Sequence, residues 1–231
     1  MIRNFTEFCA QLQAAGFSGA VSGSDDGVFS LFRYGWGAID ESSVFWHTGD
    51  PETDPWEWRM RVLEERSDIA YAKVFSRKAG YITKAWYPYF LAARRENAPF
   101  DELYADGKLS HDAKRVYDVL RAGLPLPSHE LKVLSGFGSD DKSHFDKALT
   151  DLQMDLFITM CGRRMKLSQH GEEYGWASTV FCSVESFWPE EVFMEALRMK
   201  SDKAAEAVRE QIHKLNPNAD AKRVQKFMLG R

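Results

Sequence analysis

Between Lys142 and Lys166 the 231-residue chain carries cations and hydroxyls with the chemistry to hold phosphate. Arg163, Arg164 and Lys166 stand close together, and no Asp or Glu occurs from residue 156 to residue 170. Upstream, Lys142, Ser143, Lys147 and Thr150 recur at positions that a helix turns outward. Such side chains neutralise or hydrogen-bond the phosphate oxygens of a nucleic-acid backbone. The three clustered cations alone predict a slope of log affinity against log salt of roughly −2.7. Asp140, Asp141 and Asp146 oppose phosphate in the same stretch. The plainer account leaves all these cations solvated, with protein contacts only.

A second constellation lies in the middle of the chain, where tryptophans and tyrosines alternate with arginines. Trp56, Arg59, Tyr87, Tyr89, Arg94 and Arg95 have the types to line a pocket that stacks on bases and holds phosphate. Of these, the Arg94-Arg95 pair is expected to be exposed. The competing account is a Trp-rich core with solvated arginines beside it.

Signals for catalysis are poor. The six histidines show no HxxxH or HExxH spacing and the three cysteines form no CxxC pair, so no metal, cofactor or disulfide framework is implied. No GxSxG, no Walker-type loop and no GxGxxG in a βαβ setting occurs, and Gly35-Trp36-Gly37 is too short for a phosphate cradle. Cys161 falls in an expected strand, where a buried thiol is inert. Asp54 and Glu57 are explained by helix capping.

Several elements must position these residues. A helix is expected over residues 4–15, a Gly/Ser-rich loop over 16–27 and an irregular aromatic stretch over 28–47. Asp54-Pro55, with Glu57 following, opens a helix whose apolar face is Trp56, Met60 and Leu63. Strands are expected at 69–75 and 80–85 around a basic turn, then an apolar run over 86–91 broken by Pro88, with 92–95 continuing as helix. Ser110, Ser128 and Ser139 start three helices, with Ala113, Val116, Tyr117 and Leu120 facing inward in the first. Leu131, Val133 and Leu134 mark the second, and Phe145, Ala148, Leu149 and Leu152 the third. Strands at 157–161 and 176–182 follow, with a turn at Gly162. Three helices and a hairpin make a winged helix-turn-helix, its third helix the one that enters the DNA major groove.

The fold class is therefore α/β mixed (α+β) and mostly helical. Residues 1–108 form an N-terminal α+β part, 109–185 the winged helix and 186–231 a helical extension. In that extension Ala204, Val208, Ile212 and Leu215, then Val224, Phe227 and Met228, form apolar stripes that should dock rather than reach for DNA. Hydrophobic residues at 44%, charged residues at 28% and a net charge of −4 describe a soluble globular protein and exclude a uniformly basic coat protein. Residues 1–16 have no signal-peptide apolar region and no run suits a membrane span, so a cytoplasmic location is expected.

Four stretches resemble the AlkZ-related winged-helix proteins of bacteria. They are Asp54-Pro55-Trp56 with Trp58-Arg59, then Tyr87-Pro88-Tyr89-Phe90, the run from Phe145 to Arg164, and Tyr174-Gly175-Trp176. The resemblance extends over most of residues 40–231 and implies winged-helix units and a DNA connection. The group takes its name from alkylpurine DNA glycosylases, which use a Gln-x-Gln motif on a strand beside the extruded base. Here Gln11-Leu12-Gln13 falls on an expected helix, so that role is not carried over. Three readings follow. The first is a non-catalytic, regulatory or repair-associated protein holding double-stranded DNA. The second is an AlkZ-type glycosylase acting on alkylated bases. The third is a protein-interaction or small-ligand module, with the aromatic middle as pocket and the winged helix as a homodimer interface.

Overall fold

In the computed structural model, residues 1–20, 28–32, 39–96 and 98–230 are described. Residues 21–27 of the expected loop and 33–38 of the expected irregular stretch, including Gly35-Trp36-Gly37, lie outside them. Helix α1 (Phe5–Ala15) starts where Asn4 accepts a hydrogen bond from Glu7 N at 2.9 Å and ends at Gly16. Gly16 has φ +91°, and a Cβ there would sit 2.2 Å from the Trp86 ring. Part of the expected loop is instead a buried strand, β1 (Phe17–Gly19).

Asp54 caps α2 (Pro55–Glu65), accepting from Trp56 N at 2.8 Å, Thr48 N at 2.8 Å and Gly49 N at 3.0 Å. The buried face of α2 is Trp58 and Val62, not the expected Trp56, Met60 and Leu63, because Trp58 stacks on Phe8 at 5.3 Å. Strand β2 (Ile69–Phe75) turns into β3 (Lys78–Thr83) through Ser76 and Arg77, both at positive φ. That two-residue turn is shorter than expected and matches the twist of the strands. Pro88 does not break the chain. It lies in the first turn of α3 (Tyr87–Arg95), where its missing N–H costs nothing.

After a short α4 (Phe100–Ala105), Ser110 caps α5 (His111–Arg121), whose buried face is the expected Ala113, Val116, Tyr117 and Leu120. Gly123 to Pro127 does more than end α5, because Leu126–Pro127 forms β4. Helix α6 (Ser128–Leu134) buries Leu131 but leaves Val133 and Leu134 exposed. Helix α7 (Lys142–Met154) begins after the expected Ser139 and buries Phe145, Ala148, Leu149 and Leu152. The hairpin is longer than expected, β5 (Ile158–Leu167) and β6 (Glu173–Ser183). Gly162 is not its turn: it follows a bulge at Cys161 inside β5. Helices α8 (Val184–Phe187), α9 (Glu190–Leu197), α10 (Ser201–Leu215) and α11 (Ala221–Leu229) complete the chain.

The molecule is mixed α+β, with one antiparallel sheet in the order β1-β3-β2-β5-β6-β4. Two cores flank it. One combines α1, α2, β1 to β3 and α3 with α9 to α11, including both C-terminal apolar stripes. The other gathers Phe100, Leu131, Phe145, Leu152, Phe157 and Phe181 under α5 to α7. Phe227 of α11 stacks on Phe75 of β2 with centroids 3.7 Å apart. The Arg94 guanidinium closes the joint, donating to Met228 O at 2.7 Å, Met154 O at 2.8 Å and Phe227 O at 3.0 Å. No described helix is long and apolar enough to cross a membrane.

Two stability predictions follow from these contacts. Arg94→Ala leaves three carbonyls without their donor and should lower stability by about 3 kcal/mol, read from the urea midpoint, with Arg94→Lys restoring only part. Burial alone would raise the Asp54 carboxyl, but N–H donors from Gly49, Trp56, His47 and Thr48 outweigh it and hold it below its ordinary value. A lowered folded pKa gives stability that is present above the unfolded value and lost as pH falls through the folded one. The melting temperature should therefore drop on acidification below about pH 4. Asp54→Asn should start lower and show a shallower drop.

Candidate nucleic-acid interface

Lys142, Ser143 and Lys147 lie exposed on the first two turns of α7. Thr150 is not exposed with them, though it lines the same cavity as Lys142. It is buried, and its hydroxyl donates to Asp146 O at 2.8 Å, because β2 packs over the C-terminal half of α7. The β2–β3 turn closes the same side, where Arg77 meets Asp151 at 3.1 Å and Lys147 meets it at 2.6 Å. The fully exposed side chains of α7 therefore stand on its N-terminal half.

Arg163, Arg164 and Lys166 sit within β5, not at the hairpin turn, because the strands continue to Leu167 and Glu173. Arg163 is held by Glu64 of α2 at 2.6 Å. Arg164 reaches Glu130 at 3.7 Å. Lys166 makes no ion pair among the described residues.

The six expected pocket residues do not share a cavity among the described residues. Trp56 and Arg59 stack on each other, the guanidinium 3.5 Å from the ring centroid. Tyr87 is in the core against Trp188, and Tyr89 packs beside Trp86. Arg94 is the clamp described above. The expectation that Arg95 is exposed fails: its side chain is 10% exposed, paired with Glu185 at 3.2 Å and laid over Phe157. Long-range partners bury this pair. Gln13 of the Gln-x-Gln stretch donates to Asp68 at 2.8 Å from α1.

A different place gathers free positive charge. A groove of about 360 Å³ runs between α6, α7 and the sheet, lined by Lys73, Lys132, Lys142 and His129, with Ser128, Thr150 and Thr179 as hydroxyls. None of the three lysines has an ion-pair partner among the described residues, and Asp146 is the one carboxylate in the lining. A larger cavity of about 690 Å³ on the other side of α7 differs in this respect. There Arg77 and Lys147 are both committed to Asp151, Lys108 lies 3.6 Å from Asp106, and Lys226 alone of the four cations in the lining has no ion pair among the described residues. Three unpaired ammonium groups can each meet a phosphate oxygen.

Two of the lysines were missed from the sequence. Lys73 is the single charged residue of the strand IAYAKVF and its one exposed position, which was a readable signal. His129 and Lys132 stand three apart on α6, the spacing of one helix face. Their convergence on Lys142 depends on tertiary packing alone.

Gln153 builds the groove floor. It is buried, its Oε1 accepts from Lys73 N at 3.0 Å and its Nε2 donates to Leu149 O at 2.8 Å. Gln153→Ala strands the Lys73 amide and should cost about 1–3 kcal/mol. The Lys73 amide should then exchange hydrogen faster than its strand neighbours. Unchanged protection there would show that Gln153 does not seat β2.

The model of the AlkZ-related family matches residues 2–229. No curated protein matches the chain. Among solved structures, a transcriptional regulator of the MarR family from Silicibacter pomeroyi is similar at 19% identity, over 62% of this chain and 75% of its own, with a TM-score of 0.24. At that score the likeness carries no structural argument.

Proposed function

Because the chain belongs to the AlkZ-related family, we propose that it is a DNA-binding protein, regulatory or repair-associated, that holds duplex phosphates in its lysine groove. In this reading α5, α6, α7 and the hairpin β5–β6 form a winged helix-turn-helix, with β4 as the third strand beside the wing. The first turns of α7 enter the major groove, bringing Lys142 and Ser143 to the duplex. Residues 109–185 together with Lys73 meet the DNA, while the rest of 1–108 and 186–231 form the body that braces them. The observation carrying the proposal is the convergence of Lys73, Lys132 and Lys142, unpaired, on one groove. Lys166 extends the contact along the wing. Arg163 braces the wing through Glu64 instead.

Binding of a short fluorescent duplex, titrated with salt, tests this. Four lysine contacts give a slope of log affinity against log salt of about −3.6, and replacing three of them should reduce its magnitude by about 2.7. The Lys73→Ala/Lys132→Ala/Lys142→Ala variant should therefore bind weakly on every sequence alike and melt near the wild-type temperature. No measurable duplex binding at low salt, or an unchanged slope in the variant, would sink the proposal.

A further inference from the structure

Trp176 is 91% exposed, the highest value among the exposed large apolar side chains described. It does not sit on a loose loop. Arg164 pairs with Ser178 and Lys166 with Tyr174, so Gly175, Trp176 and Ala177 of β6 all face the single residue Met165 of β5. Gly175, at φ +69°, takes the left-handed conformation that this bulge needs. Bulges re-aim side chains, and this one aims an indole into solvent. Tyr174, beside the bulge, is 54% exposed.

We infer that the bulged wing is a stacking platform for an unpaired base, so that the DNA partner carries single-stranded nucleotides next to its duplex. This rests on the DNA-binding reading above. The cross-strand neighbours flanking the bulge are cations, Arg164 and Lys166, which suit the backbone on either side of a stacked base. Glu172 and Glu173 lie beyond Tyr174 at the hairpin end, away from the groove. Along β6, Thr179 pairs with Arg163 and lines the lysine groove, and the bulge opposite Met165 stands two ladder positions further, about 7 Å at strand rise. One strand can thus run from the groove to the indole. Aromatic side chains accept the face of any base, but inside an intact duplex those faces are covered by stacking, so away from a duplex end the platform takes only an unpaired one. A protein partner fits less well, since two aromatics fall far short of the roughly 800 Å² per side of a standard interface.

The test compares wild type, Trp176→Ala and Trp176→Phe on a blunt duplex and on the same duplex with a single-stranded overhang, by fluorescence anisotropy. Wild type should prefer the overhang DNA. Trp176→Ala should lose about 5- to 150-fold on that DNA and nothing on the blunt duplex, with Trp176→Phe keeping most of the preference. Equal wild-type affinity for both DNAs, or equal loss on both in Trp176→Ala, overturns this inference and leaves the duplex-binding reading standing. Absence of binding to either DNA overturns both. A change of hydrodynamic mass in Trp176→Ala would mark the indole as a self-association contact and overturn the platform.

Discussion

The joint between the two cores depends on where strand β2 stops pairing with β5. It meets β5 at Tyr71 and Met160, then leaves the ladder. The N–H of Lys73 must still find an acceptor, because an orphaned strand donor costs about as much as a lost hydrogen bond. Gln153 supplies it from α7. That one side chain lets a helix lie against the departing strand without leaving a polar group unmet. The groove floor and the seating of α7 on β2 both use this substitution of a side-chain amide for a ladder partner.

The consequence for α7 is an asymmetry along its length. Its second half is core, with Thr150 and Gln153 turned inward and Asp151 tied to the β2–β3 turn. Its first half stands free, with Lys142 and Ser143 at the tip. A helix in a major groove contacts base edges chiefly through its N-terminal residues, so the covered half is the half that docking can spare. The same packing lifts Lys73 to the groove rim, since it is the exposed residue of β2 opposite the helix.

Elements set by local pattern were legible in the sequence. The Ser110 cap and the i, i+3, i+4, i+7 face of α5 are short-range properties, and every residue of that face is buried. The same holds for Asp54, for Phe145 to Leu152 and for the stripes of α10 and α11. What failed depended on distant partners. Two residues at Leu126–Pro127 have no period to read, and they become a strand only because Val180 and Phe181 lie alongside. Gly162 looked like a turn because a bulge and a turn favour the same residue. Arg94 and Arg95 looked solvated because their acceptors, on α7, α8 and α11, are remote in sequence. The candidate site suffered most, for the groove is assembled from α6, α7 and three strands.

Net charge is therefore a poor guide to where an anion would settle on this surface. Acidic residues outnumber basic ones, 34 to 30, yet many of the carboxylates are used inside the molecule. Glu64 holds Arg163, Asp151 holds Arg77 and Lys147, and Glu130 stands near Arg164. A cation so paired adds no new neutralisation until its carboxylate is set free. Exposed pairs of this kind are worth only about 0–1 kcal/mol, so a phosphate can displace the carboxylate at little cost, though with no large gain. Lys73, Lys132 and Lys142 need no such exchange. An approaching polyanion gains most at the groove, and the wing arginines follow by trading one oxygen partner for another. The paired carboxylates thus rank the cations, with the unpaired lysines of the groove ahead of the wing arginines.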